Sequence, residues 1–256
     1  MFLQISGDNL PELWFNCLAH LCTSERSVYY NPSVYCRRLY GYTTGVHFNK
    51  TIMEKDFYRY SGYSKDMKLS SLRTSYYSEK VQKQHKLLKS IIRKLQPRQS
   101  RGLISFSEPA FDDSSRLKCL DSLYIHKESM TSYEALIIFR ATEIYPKMFM
   151  DLVFLEEILK TFNEERVKCI QFSLFITSGF INMFNAPLCA MFLRKYGITA
   201  GSWNSAFKDS LKVWDEKFRD PKSLEDIKMT FIQRIVKRTH RIMEEDGIDI
   251  SILLKN

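Results

Sequence analysis

Apolar residues recur at helical spacing in several stretches of the chain, and these stretches predict its helices. In "SGDNLPELWFNCLAHLC", Asp8 can cap a helix and Pro11 lies in the first turn. "SEKVQKQHKLLKSIIRKL" predicts an amphipathic helix with a basic outer face that ends before Pro97. Two further helices are predicted in "PLCAMFLRKYG", ended by Gly197, and in "KSLEDIKMTFIQRIVKRTHRIMEE", ended by Gly247.

Alternating and continuous apolar runs predict strands in the middle of the chain. "GLISFSE" alternates in part, and "KCLDSLYIH" alternates between two faces. One face carries Cys119, Asp121 and Leu123. The other face carries Leu120, Ser122 and Tyr124. The apolar runs in "YEALIIFRA" and "VKCIQFSLFIT" predict buried strands, the first of them covered on both faces. Pro146 predicts the start of a helix between these two strands.

Residues 25–75 are harder to assign to regular elements. They are rich in Tyr, Ser, Arg and Lys and contain the turn signals "NPS", "YGYTTG" and "SGYS", so we expect loops and short elements there. The chain has no internal repeat, low-complexity tract or linker that would divide it. The mixture of helix and strand patterns therefore predicts one α+β domain over residues 1–256, with a central sheet.

The composition allows a large core and predicts no membrane span. Of the 256 residues, 45% are hydrophobic and 14% are aromatic, which excludes global disorder. The longest purely apolar runs, such as Ala135 to Phe139, are far too short to cross a bilayer. The N-terminus lacks the basic and apolar regions of a signal peptide, so we expect a cytoplasmic protein.

Basic residues outnumber acidic ones, 38 to 29, and the net charge of +9 favours anionic partners. Nucleotides, nucleic acids and phosphorylated metabolites all satisfy this condition. The last predicted helix has a basic face that is either a nucleic-acid contact or a solvated surface. This face carries Lys228, Arg234, Lys237, Arg238 and Arg241.

Six cysteines lie at positions 17, 22, 36, 119, 169 and 189, with no CxxC pair and no spacing typical of zinc ligands. In a reducing compartment they are expected to be free thiols, most of them packed as small apolar side chains. The five histidines are spread along the chain, so no metal site is predicted.

Between residues 98 and 155, the order of the polar residues is informative as a whole. "SRGLISFSEP" is followed by the strand with Cys119, a hairpin and then "FRATEIYPKMFMDL". This order resembles the thymidylate synthase and deoxycytidylate hydroxymethylase superfamily. The segments "ISGDNLPELW" and "SYYSEKVQKQHKLLKSIIRKL" also look like the family's opening helix and a later turn and helix. The resemblance implies a thymidylate-synthase-like domain, with helices flanking a central mixed sheet, that forms a homodimer.

The resemblance also implies a reaction at carbon 5 of a pyrimidine nucleotide. Cys119 matches the family's nucleophile, whose thiolate attacks carbon 6 of the ring and makes carbon 5 nucleophilic. The one-carbon unit that carbon 5 attacks is then implied to come from 5,10-methylenetetrahydrofolate. Glu54 is the nearest match for the general base. The residues alone leave a second interpretation of Cys119, a cysteine packed in a strand.

Three further residues match binding positions of the family. Arg101 matches one of the paired arginines that reach the nucleotide phosphate across the dimer interface, and Arg98 lies just upstream. Arg140 matches the phosphate-binding arginine after the hairpin, and Glu143 matches the aspartate three residues later. A guanidinium suits phosphate oxygens geometrically, but a surface salt bridge is the alternative for either arginine.

Asp151 matches the last residue of the family's helix-start motif. That residue is asparagine in thymidylate synthases and aspartate in the cytidylate and deoxycytidylate hydroxymethylases. A carboxylate accepts a hydrogen bond from the exocyclic amine of cytosine, and a proton on the ring nitrogen or on the carboxyl supplies a second bond. Asp151 therefore favours cytosine over uracil. An exposed aspartate stabilised by the helix dipole is the alternative.

Other family positions carry different residues here. The histidine after the nucleophile is Leu120, the serine after the phosphate arginine is Ala141, and the second paired arginine is Gly102. The sugar-binding histidine and tyrosine fall on Gly179 and Ile181.

Three hypotheses about the function follow. The first is a hydroxymethylase or methylase that acts on carbon 5 of a cytosine-type nucleotide. The second is an inactive relative that binds a nucleotide or nucleic acid, and the third is the same fold acting on a modified nucleoside precursor.

Overall fold

A computed structural model describes residues 10–24, 28–31, 36–39, 54–62, 89–91, 93–95, 101–105, 120–151, 168–220 and 230–255. The helices named within them are α1 (Leu10–Thr23), α2 (Glu54–Ser61), α3 (Ala186–Lys195), α4 (Ser205–Phe218), α5 (Thr230–Asp246) and α6 (Ile250–Leu254). The strands are β1 (Val28–Asn31), β2 (Cys36–Leu39), β3 (Arg101–Ser105), β4 (Leu120–Lys127), β5 (Ser132–Tyr145) and β6 (Lys168–Asn182). This mixture of helix and sheet agrees with the predicted α+β class.

The strands follow the order β1-β2-β6-β5-β4-β3 in the sheet. The pairings β1–β2, β2–β6, β3–β4 and β4–β5 are antiparallel. A tight turn joins β4 to β5, where the backbone N–H groups of Glu128 and Ser129 both donate to Ser132 O. The hairpin predicted at this point is therefore confirmed, and β1, β2 and α2 are the short elements expected between residues 25 and 75.

The chain divides into two compact units, each of which is described by itself. The first unit contains Met1–Ser64, Glu143–Pro146 and Gly179–Asn256. The second unit contains Lys65–Thr142 and Lys147–Ser178. The single domain expected from the sequence stays a prediction.

An aromatic cluster around Trp14 forms the core of the first unit. The Trp14 ring is fully buried, and its Nε1 donates to Ile144 O at 2.7 Å. Phe57, Tyr145 and Phe192 lie against it, with ring centroids 5.1, 6.3 and 5.4 Å away. Burying one large apolar side chain stabilises a fold by about 1.5–3 kcal/mol. The cluster therefore holds α1, α2 and α3 against the last residues of β5.

Strong periodicity identified the helices at both ends of the first unit. α1 and α3 lie where helices are predicted, and α3 ends before Gly197, whose φ of +86° is the left-handed conformation that favours glycine. α5 likewise ends just before Gly247. The helix predicted over residues 78–95 is described only near its end, where residues 89–91 and 93–94 are helical. Asp8 lies outside the described residues. Among the helices of the described ranges, none is long and apolar enough to cross a membrane.

α4 is missing from the predicted helices, although its apolar residues keep helical spacing. Its buried side chains are Phe207, Ser210, Leu211, Trp214 and Phe218. Asn204 caps the helix: its side-chain oxygen accepts from Phe207 N at 2.8 Å. The amide nitrogen of the same side chain donates to Leu21 O and Ser24 O at 2.9 and 2.8 Å. One side chain thus starts α4 and fixes it to the end of α1.

In the second unit, β3, β4 and β5 have one buried face and one partly exposed face. Leu103, Tyr124 and Leu136 lie directly opposite one another across the three strands and are 49%, 39% and 38% exposed. We call these three side chains the apolar row. The prediction that β5 is covered on both faces is wrong here, because an antiparallel sheet can leave one face to solvent and Leu136 lies on that face.

A β-bulge in β4 changes the face on which Leu120 lies. Leu120 pairs with Phe139, whereas Ser122 pairs with Ile138, so two steps along β4 correspond to one along β5. Leu120 is therefore buried on the face of Phe139. Strict alternation, which places Leu120 with Ser122 and Tyr124, is wrong at this position.

Three of the cysteines, Cys17, Cys22 and Cys189, are buried free thiols of the first unit, as expected from the sequence. The sulfur atoms of Cys22 and Cys189 lie 3.8 Å apart. Burial raises the pKa of Cys17 to about 12 and holds the pKa of Cys189 well above its usual value. Because the thiolate is the reactive form, these two thiols are inert in the folded protein.

Candidate functional site

Asp151 lies in the second unit, on the helical residues 147–151 that follow Pro146 in the sequence. The helix start predicted at this proline is confirmed. Met148, Phe149 and Met150 are all buried, and Asp151 itself is only 4% exposed. The alternative interpretation of Asp151 as an exposed helix-terminal aspartate is therefore wrong.

The Asp151 carboxyl is placed where its ionised form is disfavoured. Burial raises its pKa from 3.8 to about 7, because a carboxylate in an apolar environment loses its hydration. The charge of Lys147, one helical turn earlier, lowers the pKa and partly offsets this effect. Near neutral pH the group is therefore a mixture of a carboxylic acid and a carboxylate.

The Oδ2 atom of Asp151 is buried and has no hydrogen-bond partner among the described residues. Leaving a buried polar atom without a partner costs about 1–3 kcal/mol. Such an atom is a candidate for binding a ligand that supplies the missing bond. With its mixed protonation, this carboxyl can accept a hydrogen bond or donate one.

Arg140 lies on β5 in the second unit and faces a carboxylate of the neighbouring strand. Its Nε is 3.3 Å from Asp121 Oδ1, and both side chains are 31% exposed. Asp121 also accepts a hydrogen bond from Ser122 Oγ at 3.0 Å. The salt bridge that the sequence leaves open as an alternative is therefore present. A guanidinium has five N–H donors in a planar fork, a geometry that suits both carboxylate and phosphate oxygens.

Arg101 is exposed at the start of β3, opposite His126 of β4. The next residue, Gly102, is buried, and a Cβ atom placed on it would lie 2.4 Å from the Ile91 side chain. An arginine could not be accommodated at this position without moving Ile91. The second member of the family's arginine pair is thus excluded here by packing within the second unit.

Glu143 belongs to the first unit, whereas Arg140 and Asp151 belong to the second. The Glu143 carboxylate accepts a hydrogen bond from Asn185 Nδ2 at 2.8 Å. Asn185 is buried immediately before α3, so this contact fixes the end of β5 to the start of that helix. Within the first unit, Glu143 therefore has a structural role.

The structure describes little of the remaining predicted site residues. Cys119 and Arg98 lie outside the described residues, and Glu54 is described only as the first residue of α2. Gly179 and Ile181 stand where the resemblance expects sugar-binding residues; Gly179 pairs with Leu39, and Ile181 is 2% exposed.

Three residues of this region were not predicted from the sequence. Asp121 is the partner of Arg140, Lys147 modifies the pKa of Asp151, and Thr142 is fully buried with no hydrogen-bond partner for its hydroxyl among the described residues. Lys147 could have been found from its spacing of four residues before Asp151. Asp121 and Thr142 depend on strand pairing and burial, which no local pattern reveals.

The described residues include no group of three or more His, Cys, Asp or Glu side chains arranged to hold a metal ion. A comparison of the chain with protein-family models finds no match, and neither does a comparison with curated proteins.

Proposed function

We propose that the protein binds a pyrimidine nucleotide with a cytosine-type base and transfers a one-carbon unit to carbon 5 of that base. It would be a divergent, homodimeric relative of thymidylate synthase and deoxycytidylate hydroxymethylase. The observation that carries this proposal is the Asp151 carboxyl, which is buried, has a pKa of about 7 and has an oxygen without a hydrogen-bond partner among the described residues.

The hydrogen-bonding edge of cytosine complements such a carboxyl. The exocyclic amine of the base is a donor and the adjacent ring nitrogen is an acceptor. A carboxylic acid donates to the ring nitrogen through its O–H and accepts from the amine through its other oxygen. Uracil presents a carbonyl and a ring N–H at the same positions. When the carboxyl is ionised, the uracil carbonyl would face a second acceptor and stay unpaired, whereas the cytosine amine still donates to it, and such sites discriminate strongly.

Arg140 is the proposed phosphate ligand, with Arg101 and Arg98 as further candidates from the resemblance. Asp121 would hold the Arg140 guanidinium in a fixed orientation, and the fork of a guanidinium suits phosphate oxygens geometrically. The positive charge of the chain would support binding of a dianionic nucleotide from a distance.

The chemical step is implied by the resemblance alone. The thiolate of Cys119 would add to carbon 6, and carbon 5 would attack the methylene carbon of the folate. Loss of the carbon 5 proton would then expel tetrahydrofolate and leave an exocyclic methylene group. Addition of water to this group, as carbon 6 releases the thiolate, would give the hydroxymethylated base. Glu54 is the candidate base for that proton. The one-carbon donor, 5,10-methylenetetrahydrofolate, is a substrate in this proposal.

An inactive relative that binds the nucleotide is the second candidate function. It is favoured by the side chains that replace the family's polar ones, since Leu120 and Ile181 are buried and apolar. The pairing of Arg140 with Asp121 also favours it, because an ion pair partly neutralises the phosphate ligand. The altered sugar positions are equally compatible with the third hypothesis, a modified nucleoside precursor as the substrate.

The base-recognition part is tested by calorimetric titration of cytidine and uridine nucleotides into the protein and into two variants. Asp151→Asn exchanges the carboxyl for an amide, so its preference should shift from the cytidine to the uridine nucleotide by tenfold or more. Asp209→Asn, on an exposed position of α4, is the matched control and should leave both affinities unchanged. Equal preferences in Asp151→Asn and the unmodified protein would contradict the proposed role of Asp151.

Catalysis is tested separately by release of tritium from carbon 5 of a labelled cytidine nucleotide in the presence of the folate. Release that disappears in Cys119→Ala supports the transferase. Nucleotide binding without any release supports the inactive relative and excludes the transferase.

A further inference from the structure

One face of α5 carries basic side chains that the proposed function does not use. We define the α5 basic stripe as Phe231, Arg234, Lys237, Arg238 and Arg241. Arg234, Lys237 and Arg241 are exposed, and Arg238 is half-buried. The opposite face of the helix packs into the first unit through Ile232, Val236, Thr239, Ile242 and Met243. The stripe is thus the outward face of a helix whose apolar face is already occupied.

Among the described residues, few carboxylates lie close to the cations of the stripe. Within the described ranges, Arg234, Lys237 and Arg238 have no carboxylate at ion-pair distance, and Arg241 has only Glu245, at 3.7 Å. Arg238 is the exception on the stripe, because its half-buried guanidinium donates to Arg59 O within the first unit, and burial lowers its pKa. The stripe therefore has positive charge available for an external anion.

Phe231 adds an exposed aromatic surface to the same stripe. Its side chain is 54% exposed, although phenylalanine is usually buried. The ring lies edge-on to the buried ring of Phe184, with centroids 5.6 Å apart and planes at 80°. This contact fixes the orientation of the Phe231 ring, so another planar group can stack on the ring without reorienting it.

We propose that the α5 basic stripe is a docking surface for single-stranded nucleic acid. Phosphates would bind to Arg234, Lys237 and Arg241, and an unpaired base would stack on Phe231. Arg234 and Arg241 are separated by about 10 Å along the helix axis, so the stripe follows a backbone and does not contact one anion alone. The net charge of +9 adds a long-range attraction for a polyanion.

Two other anionic partners agree less well with the stripe. A helix that lies on a membrane surface turns an apolar face toward the lipid, but the apolar face of α5 is packed into the first unit. In a nucleic-acid duplex the bases are stacked on each other, so a duplex offers Phe231 no free base face. A single strand uses both the cations and the aromatic ring.

The test measures binding of a fluorescently labelled oligouridine by anisotropy at several salt concentrations. Arg234→Gln/Lys237→Gln removes two phosphate contacts, so the slope of log affinity against log salt should fall in magnitude by about 1.4. Lys208→Gln/Lys212→Gln removes the same charge from α4 and is the matched control, which should keep the slope.

Aromatic stacking is tested by Phe231→Ala, which should weaken binding at least about fivefold and leave the salt slope unchanged. Phe231→Trp keeps an aromatic face and should retain the affinity. Circular dichroism melting of every variant checks that the fold is intact, which is expected because the substituted side chains of α5 are exposed.

Four results would overturn the proposal: no binding of oligouridine at low salt, equal losses in the α4 control, equal affinity for a duplex of the same length, or binding to phosphatidylserine vesicles in place of the oligonucleotide. None of these measurements involves the nucleotide site around Asp151, so this inference and the proposed function fail or succeed independently.

Discussion

At the scale of single residues, Asp151 makes the stability of the fold depend on pH. One pKa unit corresponds to about 1.4 kcal/mol, so a rise from 3.8 to about 7 corresponds to roughly 4 kcal/mol. Between these values the folded chain holds a proton that the unfolded chain has lost. Stability therefore falls as the pH rises from about 4 to about 7 and stays at the lower value above it. Burial of this carboxyl lowers the stability of the fold above about pH 4, so a role in ligand binding explains it better than a role in folding.

Replacing this carboxyl by an amide should remove the pH dependence that it causes. We expect the unfolding free energy of Asp151→Asn, relative to the unmodified protein, to increase by up to roughly 4 kcal/mol between about pH 4 and about pH 8. Urea denaturation at both pH values measures this difference. Asp209→Asn, whose carboxyl is exposed, should show almost none of it, and a pH-independent difference for Asp151→Asn would contradict the buried, protonated state.

The sequence could locate Asp151 and Arg140 but not their surroundings. Spacing along the chain is enough to place Arg140 on a strand and Asp151 near a helix start, but Arg140 lies within β5, which continues to Tyr145, and not at the end of the strand. The burial that raises the pKa of Asp151 arises from tertiary packing, which spacing along the chain does not show. Likewise, Asp121 meets Arg140 only through the register of the β4–β5 hairpin.

At the scale of elements, Arg238 of α5 joins the end of α2. Its Nη2 donates to Arg59 O at 3.0 Å, and this carbonyl belongs to the last turn of α2, where helices leave carbonyls without partners. The guanidinium lies against Gly62, where a Cβ atom would be 1.6 Å from Nη1. Gly62 also has a φ of +83°. The backbone conformation therefore favours glycine at this position, and an added Cβ atom would also displace the Arg238 guanidinium.

Gly62→Ala should destabilise the first unit by about 1–3 kcal/mol, since it strains the backbone and displaces the Arg238 guanidinium. Thermal and urea denaturation measure the loss. Gly247→Ala is the matched control, because Gly247 has a φ of +62° but no atom within 4 Å of an added Cβ. The excess loss in Gly62→Ala over Gly247→Ala isolates the Arg238 contact. Equal losses would mean that the contact contributes nothing.

Among the elements, the spacing of apolar residues predicts the helices whose buried face is a strong apolar stripe. α1, α3 and α5 have strong apolar stripes and lie where helices are predicted. α4 also has helical spacing, but it is not among the predicted helices. The bulge at Leu120 and the exposure of Leu136 could not be predicted, because both depend on which strand lies beside β4 and on what covers the sheet. Residues 78–88 of the helix predicted over 78–95 lie outside the described residues.

At the scale of the whole molecule, the apolar row is the surface on which we place the proposed homodimer. On the same sheet face, Arg101 of β3 and Glu134 of β5 lie on either side of His126 of β4. A two-fold axis along β4 would bring Arg101 of each protomer over Glu134 of the other, with the two apolar rows in contact. This face therefore has charges that complement a second copy of itself.

Leu103→Lys/Leu136→Lys should shift the protein from dimer to monomer in analytical ultracentrifugation, because it places four charges in the interface of each dimer. Met130→Lys, at a 70% exposed position in the β4–β5 turn, is the control and should leave the dimer intact. Arg101→Glu alone should weaken the dimer, and adding Glu134→Arg should restore it. A monomeric unmodified protein, or no rescue by the second change, would refute this interface.

The burial of Cys17, Cys22 and Cys189 has a consequence for chemical labelling of the protein. Buried thiols react with alkylating reagents only when the chain opens locally or globally. Rapid alkylation of the native protein would thus report on Cys36, Cys119 and Cys169, which include the proposed nucleophile. The three buried thiols would record unfolding in the same mass spectrum, so one experiment on the unmodified sequence can follow both the site and the fold.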